Sequence, residues 1–138
     1  MAAALRSVPR FYLPHYVDFR GRAYPLHPHL NQMGDDMSRS MLQWADGKPL
    51  GAQGWRWLWI QVANHWGNGK DKLPIEERER FARAHEREIL QAAARPLEGG
   101  ANAWWLGAEK PWQLLATCAE IAAALGADVA GSPGGVGA

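Results

Sequence analysis

The chain has 138 residues, 47% hydrophobic and 21% charged, long enough for one modest domain with its own core and too apolar for a disordered chain. A formal net charge of +1 excludes the global basic field that would by itself demand nucleic acid. The single cysteine, Cys118, excludes an internal disulfide framework, and no apolar run approaches the ~20 residues of a membrane span, so no membrane partner is expected.

Charge is unevenly spread. Residues 1–34 carry Arg6, Arg10, Arg20 and Arg22 against Asp18 alone, four minus one, a local excess of +3. Residues 70–95 are densely charged but balanced, with seven Lys/Arg against six Asp/Glu. The opening "MAAALRSVPR" has small residues and two arginines, yet it is too short for a transit peptide and lacks the apolar core of a secretory signal. Residues 1–10 are read as an N-terminal extension.

In chain order, "FYLPHYVDF" alternates as a strand, with Phe11, Leu13, Val17 and Phe19 on one face and Tyr12, Tyr16 and Asp18 on the other. Pro14 suits only an edge or an irregularity. Gly21 permits a tight turn, after which "RAYPL" returns, giving a hairpin over 11–28. Asp35 or Asp36 caps a helix over about 35–46, its apolar positions Met37, Met41, Trp44 and Ala45. A second helix over 52–66 carries Trp55, Leu58, Trp59, Val62 and Trp66 on one stripe. A third runs from Pro74 to Arg95 with Phe81, His85, Ile89 and Ala93 at four-residue spacing, and its exposed faces alternate charge. The loop "LEGGANAWWLGAEK" leads to a fourth helix over 111–125, and residues 127–138 read as a disordered glycine-rich tail. The fold class is mainly α with a small β-hairpin (α+β). Two strands are not stable alone, so the hairpin must lean on other structure.

The candidate site is the hairpin turn. An arginine fork such as Arg20 or Arg22 suits phosphate oxygens, and an adjacent acid, Asp18, can hold one fork in place. The plainer alternative is a surface salt bridge of little energetic weight. Tyr12, Tyr16 and Tyr24 flank these cations, as in proteins that stack bases while gripping backbones, and as in strand-forming sequences generally. His27 and His29 in "HPH" make at most half a metal site, and Asp35 and Asp36 are explained by helix capping. Of the eight tryptophans, those at helical spacing read as core, with a sugar-binding platform as the outsider. No nucleophile–base pair, phosphate-cradling loop, zinc pattern or carboxylate dyad is present, so no catalytic and no metal residue is assigned.

The stretch "PHYVDFRGRAYPLHPHLNQMGDDMSRSMLQWADGKPLG" resembles the single-subunit, bacteriophage-type DNA-directed RNA polymerases, in particular their mitochondrial and plastid branch. Asp18 to Arg22 match that family's Asp-x-x-Gly-Arg motif. The likeness continues through "WLWIQVANHWG" and resumes at "RPLEGGANAWWLGAEKPWQLLATCAEIAAAL", covering roughly residues 8–126. The resemblance implies a piece of the palm/fingers region, residues 11–126, ahead of the first metal-binding aspartate. It further implies that Arg20 and Arg22 grip backbone phosphate, that Gly21 lets the strand approach, that Asp18 orients an arginine, and that Tyr24 and Arg39 face template and RNA–DNA hybrid. The implied function is a part of an organellar DNA-directed RNA polymerase, in the mitochondrion or alternatively the plastid. Its partners would be the DNA template, the RNA–DNA hybrid and the remaining polymerase segments, with nucleoside triphosphates and Mg2+ used by the complete enzyme. The family's two metal-binding aspartates, and its nucleotide-handling lysine and tyrosine, come after the matched stretch. This chain alone is therefore expected to bind no Mg2+ and not to polymerise RNA. The alternative is a non-catalytic helical interaction module derived from such a polymerase.

Overall fold

The computed structural model describes residues 1–127 and Ala130. Most of the expected disordered tail over 127–138 lies outside the described residues. The chain divides into two compact units, Met1–Lys48 and Pro49–Ala138.

The first unit opens with a short helix α1 (Ala2–Leu5), inside the expected extension. Strands β1 (His15–Val17) and β2 (Ala23–Pro25) pair antiparallel, with Tyr16 opposite Tyr24 and Val17 opposite Ala23. Each strand has only three residues, so the hairpin is shorter than the expected 11–28. Pro14 lies just outside β1, where it needs no ladder donor, and its carbonyl accepts from Leu26 N at 2.8 Å. Asp35 caps α2 (Asp36–Ser40), its side chain accepting from Ser38 N at 2.8 Å. This helix ends at Ser40, not at residue 46. Met37, Met41 and Trp44, placed on its buried stripe by spacing, are 48%, 47% and 94% exposed. An isolated helix this short gains its stability from burying an apolar face, and only Leu30 and Asn31 are buried in this unit.

The second unit has an apolar core of its own. Helix α3 (Gly51–Trp66) turns Trp59, Val62 and Ala63 inward and stops at Gly67, whose φ is 64°. A 3-10 turn, Lys70–Lys72, leads to α4 (Ile75–Ala84) and α5 (Glu86–Ala94). The single helix expected over 74–95 is thus two. At the break His85 adopts φ −107° and ψ 20°. Its Nδ1–H donates to the Phe81 carbonyl at 2.8 Å, and its ring stacks on Trp104 with centroids 5.3 Å apart. The interruption coincides with that stack and with the local contacts of His85 to Phe81. Gly100–Gly107, read as loop, is a 3-10 segment that turns Trp105 into the core and lays Trp104 on Trp66 at 4.6 Å. Pro111 opens α6 (Pro111–Ala124), which buries Leu114, Cys118 and Ile121. Trp55, Trp59, Trp66, Trp104 and Trp105 all belong to or pack on this core, which removes most of any tryptophan platform.

Candidate nucleic-acid interface

The turn joining β1 to β2 is built around one carboxylate. Asp18 N donates to Arg22 O at 2.9 Å and Gly21 N donates to Asp18 O at 3.0 Å, with Gly21 at φ 79°. This is the geometry of a three-residue hairpin loop closed by a left-handed residue, which is why glycine stands there. The short Asp18 side chain then folds over the loop. Its Oδ1 accepts from the backbone amides of Arg20 at 2.9 Å and Arg22 at 3.0 Å. Its Oδ2 accepts from Arg20 Nε at 3.1 Å and Nη2 at 2.9 Å. The Arg22 amide above all, with Arg20's guanidinium and amide, holds the Asp18 carboxyl below the usual carboxylate range against partial desolvation.

Arg20 is therefore braced while its side chain remains 50% exposed. Nη2 also donates to Tyr24 Oη at 3.3 Å, and the Tyr24 ring stacks on Tyr16 with centroids 5.5 Å apart. Asp18, Arg20, Tyr16 and Tyr24 thus form one connected cluster. Arg22 shares the turn through its backbone alone, and its guanidinium has no partner among the described residues. Beyond Gly21 a Cβ would meet nothing within 4 Å, so the outer side of the turn is open. Arg39 stands exposed on the last turn of α2, and no hydrogen bond joins it to the cluster among the described residues.

One residue was misplaced by alternation. Phe19, assigned to the strand's apolar face, sits at the tip of the turn, 97% exposed, with the Arg20 guanidinium carbon 5.7 Å from its ring centroid. The signal available was Gly21 two residues later, which ends the strand before Phe19 can follow its period. The histidine pair resolves as turn chemistry: His27 Nδ1 accepts from the amides of His29 at 3.3 Å and Leu30 at 3.1 Å. No group of three His, Cys, Asp or Glu residues comes together among the described residues. Among the described residues no chemical step is assigned to these side chains.

The family model for DNA-dependent RNA polymerase matches residues 48–131. The mitochondrial DNA-directed RNA polymerase 1B of Nicotiana tabacum is 52% identical over 125 residues, 91% of this chain and 12% of its own length. The mitochondrial DNA-directed RNA polymerase 1 of Arabidopsis thaliana is 48% identical over the same share of this chain and 13% of its own. The chloroplastic/mitochondrial DNA-directed RNA polymerase 2 of Arabidopsis thaliana is 46% identical over 91% and 12%. Matching 125 of 138 residues leaves 13 unmatched, so the alignment includes residues 14–125, and the hairpin with them, whichever end the remainder falls at. The chain belongs to the DNA-dependent RNA polymerase family. Within that family its likeness is to the phage-type polymerases of plant mitochondria and chloroplasts, of whose length it spans about an eighth.

Proposed function

We propose that this chain contributes template and RNA–DNA hybrid contacts to an organellar DNA-directed RNA polymerase, with the Asp18–Arg22 turn holding the sugar–phosphate backbone. The braced turn carries the reading. A carboxylate that engages both backbone amides and one guanidinium fixes the loop before any ligand arrives, so little ordering remains to oppose binding. Arg20 then presents its remaining N–H groups in a set direction, and the unpaired Arg22 fork is available for phosphate oxygens. Gly21 leaves room for close approach, Phe19 offers a ring face beside the cations, and Tyr24 and Arg39 extend the contact toward template and hybrid.

Nucleoside triphosphates and Mg2+ belong on this reading to segments outside the chain, which supply the carboxylates that two-metal phosphoryl transfer requires. The chain's own part is positioning. By the names of its relatives the working compartment is the mitochondrion, with the plastid as alternative.

Fluorescence anisotropy with an end-labelled RNA–DNA hybrid tests this. The full chain should bind weakly at low salt, and Arg20→Ala/Arg22→Ala should lose most of that binding. Lys70→Ala/Lys72→Ala, in the second unit, should bind as the parent does. Equal binding by the hairpin variant and the parent would refute the assignment.

A further inference from the structure

The first unit carries an apolar line that stays about half exposed or more. Met37, Met41 and Trp44 follow one another at spacings of four and three, the step of a single helix face. They are 48%, 47% and 94% exposed. Helix α2 nonetheless stops at Ser40, so the sequence encodes a longer amphipathic helix than the chain forms. Met41 also lines an open groove of about 370 Å³, whose other walls include Leu5, Phe11, Leu30 and Leu42.

We infer that this line is a docking face for a polypeptide segment of the polymerase body outside this chain, and that docking extends α2 toward Ala45. The inference rests on the polymerase reading above. Three observations choose the occupant. The relatives are about eight times longer than the part matched here, and the match includes this stretch, so most of each relative is polypeptide available to cover it. Met37, Met41 and Trp44 carry no charge, so the stripe itself has nothing to pair with phosphate, unlike the basic hairpin. Three side chains are also too few for the ~800 Å² per partner of a stable homodimer, whereas methionines adapt readily to an apolar surface of another sequence. Burial of the stripe would supply the apolar contact that a short helix needs to propagate.

The test mixes the full chain with the tobacco mitochondrial relative from which the matching segment has been deleted. A 1:1 complex should form, with a blue-shifted Trp44 emission (read as the difference from Trp44→Phe) and increased helical ellipticity. Met37→Ser/Met41→Ser/Trp44→Ser should weaken the complex at least about tenfold, while hybrid binding by the free chain stays unchanged. A second arm places this chain's sequence within the intact tobacco polymerase. There the triple substitution should lower the melting temperature, whereas in the free chain it should not. Capture of hybrid by the stripe, self-association through it, a complex indifferent to the triple substitution, or equal melting shifts in both contexts would each overturn the inference. Loss of hybrid binding by the Arg20/Arg22 variant with no complex would sink this inference and leave the proposed function standing.

Discussion

The two units solve the problem of holding a shape in different ways. In Pro49–Ala138 the answer is burial: Ile60, Val62, Ile89, Leu114, Cys118 and Ile121 are almost fully removed from solvent, and area taken from water is the main stabilising term. In Met1–Lys48 only Leu30 and Asn31 are buried, and the ordered geometry comes from short-range polar closure around Asp18, His27, Asn31 and Asp35. A unit organised in this way is well defined where its hydrogen bonds are and unfinished where its apolar residues are. The same stretch therefore contains both the fixed arginine turn and the exposed methionine line.

The contrast is broken most sharply by cavity formation. Leu114→Ala should destabilise the second unit by roughly 2–5 kcal/mol, read by chemical denaturation, whereas Val17→Ala in β1, 67% exposed, should shift the midpoint very little. Equal losses would deny that only one unit has a core. Next in size is Gly21→Ala. The site is sterically open, so the cost is the left-handed backbone alone, of order 1–2 kcal/mol locally. The expected outcome is loosened turn amides by NMR and weaker hybrid binding, with the second unit's melting unchanged.

The smallest effect separates the units by sign. Asp18 has a lowered folded-state pKa, so its contribution is complete above the ordinary value of 3.8 and is lost as pH falls through the lower folded value. Glu120 is raised by desolvation in α6, so protonation there favours the folded form as pH falls through that raised value, above 4.5. Carboxyl carbon NMR titration should find Glu120 protonating before Asp18 as pH falls, the turn amides shifting only with the latter. The reverse order would contradict the geometry of both sites.

Much of this was legible in the residues. Trp55, Trp59 and Val62 recur at helical spacing and pack as that spacing requires, and Gly67 and Pro111 mark the ends of α3 and α6 within a residue of the expected places. The turn was legible because Gly21 and Asp18 act over a few bonds. What escaped are breaks in the pattern that spacing does not report. The break at His85 falls where its ring meets Trp104, nineteen residues on. Helix α2 stops at Ser40 although the apolar period runs on to Trp44, and Phe19 left the strand pattern because the turn begins before its period is complete.

The central claim is that the turn from Asp18 to Arg22 holds a nucleic-acid backbone, and salt dependence tests it most directly. Measured from low to moderate salt, log affinity for an RNA–DNA hybrid should fall linearly with log salt, and the slope should shrink by about two for Arg20→Ala/Arg22→Ala, one for each phosphate contact removed. An affinity and slope unaltered by the double substitution would show that these guanidinium groups touch no phosphate.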